Sequence, residues 1–250
     1  MTVKQIENAL DLLEYFADRK RPASLSQIHH DFGWPRSSTY NILSTLVDRG
    51  YMYEPSKRGG YYPTPRWLRI SDQITAADTL GPHLHEMLEN IAEITGETAA
   101  IAAPAGLHTV YLDVVESQSP IRYAAHVGKR LPIHTSSSGR SLLSQYSATE
   151  RASILRKVTF ERYRPNSLMS VDAVEVDIRI SKKRGWFQSF DEYGKDLGSI
   201  AIPMPLEDRR LSLLVGGPIF RMQENAESIA GALHRMFEQV QAREEADEAP

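Results

Sequence analysis

The sequence predicts a two-domain protein of the α+β class, and three observations support this prediction. Its 250 residues exceed the length of most single domains. Up to Gly50, apolar residues recur at the three- and four-residue spacing of amphipathic helices. After Gly96 the spacing changes, and β-rich runs bounded by Gly or Pro alternate with further helical segments. A helical head followed by mixed strands and helices is typical of two domains, the second of them α+β.

Composition excludes several classes of protein. The apolar fraction of 41% and the charged fraction of 24% are those of a globular chain. The chain contains no cysteine, which excludes disulfide frameworks, thiolate zinc fingers, iron–sulfur clusters and cysteine nucleophiles. The sequence has no apolar run of about 18 residues and no signal-peptide core at its N-terminus. We therefore expect a cytoplasmic protein with no membrane partner.

Charge is distributed unevenly along the chain. Residues 19–69 contain nine basic and three acidic side chains, a net charge of +6, whereas the whole chain carries −3. The sequence also ends in an acidic tail at residues 244–248. A basic segment on an otherwise acidic chain indicates a nucleic-acid-binding module beside a second domain. An ordinary solvent-exposed surface could carry the same net charge. The motifs in this segment must therefore decide between nucleic-acid binding and a merely solvated surface.

Two helices are predicted before residue 33. In the first, apolar residues at helical spacing predict one buried face, formed by Ile6, Ala9, Leu10, Leu13, Phe16 and Ala17. The pattern breaks at residues 20–23. A second helix begins at Ser24, because Gln27 three residues later completes a capping box. Gly33 and Pro35 then predict a tight turn, with Pro35 at the first position of a third helix.

The third helix has one apolar and one polar face. The predicted buried stripe comprises Thr39, Ile42, Leu43, Leu46 and Val47. The opposite face carries Arg36, Ser37, Tyr40, Asn41 and Ser44. Gly50 stands where a left-handed C-cap belongs. Two short strands around the basic, Gly-rich residues 55–60 follow and predict a hairpin. Three helices and a basic hairpin make a winged helix-turn-helix over residues 1–65.

This arrangement predicts contacts with double-stranded DNA. A recognition helix needs polar side chains on its exposed first turns: Arg36 has the donors to read guanine, and Asn41 suits adenine or a phosphate. Serine and tyrosine hydroxyls suit phosphates, and basic residues at the hairpin tip suit the minor groove or the flanking backbone. The predicted contact residues are Arg36, Ser37, Ser38, Tyr40, Asn41, Ser44, Lys57 and Arg58. The alternative is a surface helix whose outer face is merely solvated; the ordered occurrence of capping box, turn, polar face and basic hairpin favours DNA binding.

The remaining chain is predicted to form a linker helix at 66–80 and a second domain at 81–250. Gly81 and Pro82 end the linker, and a further amphipathic helix ends at Gly96. The predicted strands are 98–103, 108–116, 121–127, 186–189, 200–204 and 210–216. The predicted helices are 139–145, 150–158, 172–184 and 225–242, with Asp172 and Glu175 capping the third of these. The strand pattern predicts an antiparallel sheet flanked by helices.

Three segments resemble the IclR-type transcriptional regulators. Residues 25–51 include GWPRSSTYNILSTLVDRGY, residues 128–143 read GKRLPIHTSSSGRSLL, and residues 184–203 end in GSIAIP. The resemblance spans nearly the whole chain. It implies a winged helix joined through a linker helix to a GAF-like effector domain, in dimers or dimers of dimers without catalytic chemistry. We therefore expect a ligand-responsive regulator, a repressor of a catabolic operon, with operator DNA, a small effector and further copies of itself as partners, and with no cofactor. The first helix and the linker residues Trp67, Leu68 and Ile74 are the expected dimer surfaces, although an intradomain role is equally consistent with the sequence.

The resemblance also implies where an effector binds. The matching positions are Leu131, Ser137, Ser138, Ser189, Ser199, Leu214 and Gly216. Residues 136–139 place hydroxyls and free N–H groups before an apolar helix, which favours an anionic or carbonyl group, unless the serine is only an N-cap. Binders of small acids in the family tend to carry an acidic residue at the position of Ser189, a cysteine at Ser199, and serines at Leu214 and Gly216. These differences predict a ligand with an apolar or aromatic body and one polar end.

Other side chains leave alternatives open. Arg122, His126 or Arg140 would supply a charged contact to the effector, although a surface position is expected for each. His83, His85, Glu86 and Glu89 suggest a metal site, but only His85 and Glu89 share a helix face. Ser136–Ser138 with His134 and Asp191 suggest a serine hydrolase, but the sequence lacks the Gly-x-Ser-x-Gly elbow. A second domain that serves only oligomerisation is the remaining alternative.

Overall fold

The structure, a computed structural model, describes residues 3–55, 60–76, 80–206 and 208–247. Its contacts divide the chain into two compact units, Met1–Thr79 and Leu80–Pro250. The first unit contains α1 (Lys4–Arg19), α2 (Leu25–Phe32), α3 (Arg36–Asp48), β1 (Met52–Tyr53), β2 (Tyr62–Pro63) and α4 (Arg66–Ala76). The two short strands pair antiparallel, as the predicted hairpin requires.

The predicted turns and caps of the first unit are present. Ser24 Oγ accepts a hydrogen bond from the backbone N–H of Gln27, and the Gln27 side chain accepts one from the N–H of Ser24, so the capping box is complete. Gly33 and Gly50 adopt the left-handed conformation at φ 65° and 75°. Pro35 is the N-cap of α3, and the helix therefore begins one residue later than predicted.

The buried face of α1 differs from the prediction. Ile6, Leu10 and Ala17 were expected in the core but are exposed, the first two at 61% and 56%. Phe16 is buried as predicted, together with Asn8 and Leu12, which were not predicted. The helix carries apolar residues on two faces about 120° apart, and spacing alone does not say which of them packs against α2 and α3. The core of this unit joins Leu12 and Phe16 to the buried residues Ala23, Ile28, Trp34, Leu43 and Met52.

The second unit is built around one antiparallel sheet. Its helices are α5 (Pro82–Thr95), α6 (Ser137–Leu143), α7 (Ala148–Leu155), α8 (Val171–Arg184), α9 (Ile219–Glu224) and α10 (Ala226–Asp247). Its strands are β3 (Thr98–Ala105), β4 (His108–Val115), β5 (Arg130–Pro132), β6 (Phe187–Phe190), β7 (Leu197–Leu206) and β8 (Arg209–Pro218). The strand order is β5-β4-β3-β8-β7-β6.

Helices cover both faces of the sheet. One core lies between the sheet and α5 and α10, where Leu88, Leu233 and Leu213 are fully buried. The other lies against α6 and α8, where Leu143 and Leu214 are buried. Successive residues of β8 therefore alternate between two apolar cores, as a strand with period two requires. No described helix combines the length and hydrophobicity needed to cross a membrane.

Two predicted elements of the second unit are wrong. Residues 121–127 form no strand; the chain from 116 to 129 is irregular. Side chains, not a neighbouring strand, make hydrogen bonds to the backbone of residues 121–127: Thr98 Oγ1 donates to the carbonyl of Tyr123, and the Glu116 carboxylate accepts from the N–H of Ala125. The cap of α8 is Ser170, which accepts from Ala173, and not Asp172.

Candidate functional site

The polar face of α3 is open to solvent. Of the six predicted contact residues on this helix, Arg36, Ser37, Ser38, Tyr40 and Asn41 are exposed and Ser44 is half-buried. On the opposite face Thr39 and Leu43 are buried, and Ile42, Leu46 and Val47 are half-buried. The remaining two predicted contacts, Lys57 and Arg58, lie outside the described residues. A helix with this division of faces presents hydrogen-bonding groups along its first two turns.

The start of α3 suits a phosphate. No side chain caps the helix, and the backbone N–H groups of its first turn, at the N-terminal end of the helix, have no hydrogen-bond acceptor within the helix. Arg36 is held by one long hydrogen bond, from its Nη1 to Ser26 Oγ at 3.4 Å. Ser38 and Asn41 also line a groove of about 470 Å³ between α1 and α3. The exposed face therefore offers donors on both flanks of the helix.

A second candidate site is a small cavity of about 40 Å³ in the second unit. Three of the seven predicted effector residues line it: Leu131 on β5, Ser189 on β6 and Ser199 on β7. Ser137 lies directly behind, with its Oγ 2.7 Å from Ser199 Oγ. Ser138 lies further back and donates to Ser136 Oγ. The hydroxyls of Ser137 and Ser199 therefore lie at or next to the cavity, and the described lining of the cavity contains no charged side chain.

The other two predicted effector residues do not reach the cavity. Leu214 is buried in the apolar core on the same face of the sheet. Gly216 lies under the ring of Tyr123, because a Cβ at Gly216 would come within 2.8 Å of that ring. The space beside Gly216 is thus filled by an aromatic side chain from elsewhere in the chain.

Sequence reasoning missed the tyrosines of this cavity. Tyr111, Tyr123 and Tyr193 line it together with Ser136. Tyr111 is fully buried, burial raises its pKa well above the ordinary value, and its hydroxyl lies 3.3 Å from that of Tyr123. The signal available was the alternation along β4, which puts Tyr111 on the same buried side as Thr109. A phenol buried at such a position needs a polar partner nearby.

The serine loop has a structural role as well. Ser136 is the N-cap of α6 and accepts from the N–H of Gly139 at 3.0 Å. Ser189 Oγ donates to the carbonyl of Thr135 at 3.1 Å, which ties β6 to this loop. Ser136 is therefore the N-cap of α6 and also lines the cavity together with Ser189 and Ser199.

Arg140 is not the surface residue that was expected. Its side chain is fully buried, with Nη1 and Nη2 on the two carboxylate oxygens of Glu192 at 2.6 and 3.0 Å and Nε 2.6 Å from Asp177. It also donates to the carbonyls of His134 and Gln188. Burial opposes the charge, but the two carboxylates more than offset it and raise the pKa of Arg140 above its ordinary value. Arg122 and His126 are exposed, as expected.

This buried arginine positions one wall of the cavity. Glu192 precedes Tyr193 and Gly194, and the same loop is held at Asp191 by both Nε and Nη2 of Arg164. Sequence reasoning missed the role because the partner carboxylate lies 52 residues away along the chain. Without that partner in view, the sequence of a short helix does not distinguish a buried, paired arginine from one exposed to solvent.

The metal and hydrolase alternatives find no support in these contacts. No group of three or more potential metal ligands occurs among the described residues. His85 lies 2.9 Å from Asp113, and this hydrogen bond raises its pKa. The ring nitrogens of His134 have no hydrogen-bond partner among the described residues. Asp191 is held by Arg164 instead of orienting a histidine.

Solved structures of other proteins share the fold of this chain, and a curated relative resembles it in sequence. A crystal structure of IclR from Thermotoga maritima superposes with a TM-score of 0.76 at 20% identity, over 96% of this chain and 98% of that one. An IclR homologue from Microbacterium hydrocarbonoxydans, complexed with 4-hydroxybenzoate, gives 0.66 at 18% identity over 94% and 99% of the two chains. The transcriptional repressor IclR of Escherichia coli is 24% identical over 235 residues, 92% of this chain and 86% of the repressor.

Family assignment follows from both ends of the chain. Residues 5–55 match the IclR helix-turn-helix domain. Residues 78–242, well over half of the chain, match the C-terminal domain of bacterial IclR transcriptional regulators. The chain belongs to the IclR family and is a DNA-binding transcriptional regulator.

Proposed function

We propose that this regulator is a cytoplasmic, ligand-responsive repressor of a catabolic operon. The observation that carries the proposal is the exposed polar face of α3, where Arg36, Tyr40 and Asn41 are all open to solvent. Inserted in a major groove, Arg36 is placed to read guanine and Asn41 adenine, while the serine hydroxyls bind phosphates. Lys57 and Arg58 are proposed to contact the flanking backbone or minor groove.

Binding selection from genomic fragments, followed by two charge-matched variants, tests this assignment. Arg36→Ala and Arg69→Ala each remove one exposed cation from the first unit, so each should weaken binding to all DNA similarly. Only Arg36→Ala should also reduce the ratio of specific to non-specific affinity, by about tenfold or more. Equal ratios for the two variants would contradict a base-reading role for Arg36.

The second unit is proposed to bind the effector. The support is a cavity lined by hydroxyls and aromatic rings, Ser189, Ser199 and Tyr111 among them. The similar protein from Microbacterium hydrocarbonoxydans was crystallised with 4-hydroxybenzoate, which has an aromatic body and polar ends. An aromatic effector is therefore the class to test first.

Effector binding is proposed to act by population shift. In a dimer, the two DNA-binding units can bind an operator only when their separation matches that of its half-sites, in multiples of about 10 base pairs. A ligand that binds better to the dimer at one separation therefore changes the affinity of the protein for the operator. Linkage makes the effect reciprocal, so operator DNA must change effector affinity by the same factor. Titrations of effector with and without operator should therefore give different effector affinities, and equal affinities would contradict the scheme.

Self-association through the first unit is part of the proposal. Val3, the N-cap of α1, and Ile6 and Leu10 on α1 are more than half exposed, at the alternating three- and four-residue spacing of helices that pair. Leu68 and Ile74 on α4 are also exposed, at 65% and 67%. Trp67, in contrast, donates its indole N–H to the carbonyl of Tyr51 within the unit. Leu10→Glu should produce monomers in sedimentation analysis, and an unchanged mass would argue against this surface.

The second candidate function is a regulator whose second unit serves only oligomerisation. The small size of the cavity favours it, since ligand pockets commonly measure about 300–1,000 Å³. Thermal denaturation against a panel of aromatic and aliphatic acids separates the two. A stabilising compound that also changes operator affinity supports the effector role, whereas no shift from any compound with intact operator binding supports the alternative.

A further inference from the structure

The cavity is narrowed by a side chain of the protein itself. At about 40 Å³ it has room for water but not for an organic ring. Its walls are formed largely by strands: Tyr111 on β4, Leu131 on β5, Ser189 on β6 and Ser199 on β7. These residues cannot leave without breaking the sheet. Widening the cavity enough for a ring therefore depends on a side chain outside the sheet.

Tyr123 is the side chain best placed to move. It comes from the irregular segment 116–129, and its ring lies over Gly216 with the hydroxyl 3.3 Å from that of Tyr111. Its backbone is fixed, because Thr98 Oγ1 donates to its carbonyl at 2.7 Å and Glu116 accepts from the next residue but one. Its ring is only half-buried, with the Lys129 ammonium group 4.1 Å from the ring centre. Rotation of the side chain would free the space while the segment stays in place.

The opposite wall is held more firmly. Tyr193 and Gly194 belong to the loop that Arg140 and Arg164 fix through Glu192 and Asp191. The Arg140 pair is buried, so releasing this loop would leave charges without partners in the protein interior. The Tyr193 ring also packs against the ring of Tyr163, with 4.9 Å between the ring centres, so Tyr193 is treated as a wall of the cavity and Tyr123 as its removable occupant.

The space left by the Tyr123 ring has a defined chemistry. It is a flat slot over Gly216, which has no side chain to obstruct it, and the Tyr111 hydroxyl would need a new hydrogen-bond partner. The described lining adds hydroxyls from Ser136, Ser189 and Ser199 but no Lys, Arg or His. Lys129, whose ammonium group lies beside the Tyr123 ring, donates to the carbonyl of Ala124 and is not part of the lining. A carboxylate turned inwards towards Ser189 and Ser199 would therefore be buried without a cation in the lining, which is costly, whereas a neutral hydroxyl would be satisfied.

We propose that the ligand of this cavity presents an uncharged phenol-type ring that takes the place of the Tyr123 ring, so that Tyr123 competes with the ligand and limits its affinity. This inference rests on the proposed effector role of the second unit. It names the chemical group that enters first; charged substituents, if present, remain at the mouth of the cavity.

Calorimetric titration of the full-length protein with phenol, and with benzoate as the charged comparison, tests the inference. Tyr123→Ala removes the competing ring and should bind phenol about tenfold or more tightly than the wild type, because binding no longer requires its displacement. Benzoate should not gain. Tyr123→Phe keeps the ring and should change phenol affinity only slightly. Tyr193→Ala, the matched control from the opposite wall, should give no gain.

Several results would overturn the inference. Weaker or unchanged phenol binding by Tyr123→Ala would make Tyr123 a wall that the ligand contacts, and a similar gain for benzoate would refute the ligand class. If Tyr123→Ala does not fold, Tyr123→Leu provides the same comparison, since it retains an apolar side chain but no ring. Operator affinity measured in parallel separates the two proposals: tight phenol binding without an effect on DNA supports the cavity chemistry and contradicts the effector role.

Discussion

Loss of the buried Arg140 guanidinium should destabilise the second unit far more than loss of a comparable pair at the surface. In Arg140→Met, Glu192 and Asp177 lose a fully buried partner, and two backbone carbonyls lose donors. Removing one member of a buried ion pair costs about 3–5 kcal/mol, because the remaining charge stays desolvated. Arg164→Met is the matched control, since it removes a two-point contact to the same loop at Asp191. Its partners are partly exposed, so its loss should be much smaller.

Native-state hydrogen exchange in β7 and β8 is the appropriate assay, because these strands belong to the second unit alone. The free energy of opening should fall by the larger amount in Arg140→Met and only slightly in Arg164→Met. A double variant, Arg140→Met with Glu192→Gln, should recover part of the loss by neutralising one stranded charge. Equal losses in the two single variants would refute the argument that burial sets the cost.

Three further outcomes are expected. Ser24→Ala should cost the first unit about 1 kcal/mol in urea denaturation by removing the capping hydroxyl, whereas Ser71→Ala inside α4 should cost nothing measurable. Burial lowers the pKa of His134 to about 4, so below pH 6.5 the unfolded chain binds a proton that the native state does not bind. The free energy of unfolding should therefore fall by about 3 kcal/mol as the pH drops towards 4. In pH-dependent thermal scans, His134→Leu should lack this part of the loss. Gly139→Ala should lower the free energy of unfolding by about 1–3 kcal/mol, because its Cβ would lie 2.0 Å from a backbone oxygen. The control Gly231→Ala in α10 should be neutral or stabilising. Melting temperatures that move in the same direction for both variants would contradict the packing at residue 139.

The first unit was predictable from sequence because its signals are local. The capping box at Ser24, the left-handed Gly50 and the polar face of α3 each depend on residues within a few positions of one another. Its error, the exposed position of Ile6 and Leu10, arose because α1 has two apolar faces and spacing does not rank them. Which face packs inward is decided by α2 and α3, not by α1 itself.

The second unit was predictable in its elements but less so in its site. Leu131, Ser189 and Ser199 line the cavity, and their contact with an effector stays a prediction. The occupancy of the Gly216 position by Tyr123 was not foreseeable, because residues 121–127 have the composition of a strand, and a strand would have directed alternate side chains differently. Arg140 was misplaced for a related reason: its carboxylate partners are distant in sequence, so burial and pairing appear only in the folded chain.

Direct contact between α3 and the operator is the central claim, and site-specific photo-crosslinking tests it most directly. Tyr40 on α3 is 54% exposed, and Phe220 in the second unit, at 61%, provides an equally accessible aromatic position for comparison. With p-benzoylphenylalanine at position 40, irradiation should attach the protein to its selected duplex and much less to a scrambled one. The same substitution at position 220 should give little attachment to either. Crosslinking from position 220 but not from position 40 would contradict the assignment of α3 as the recognition helix.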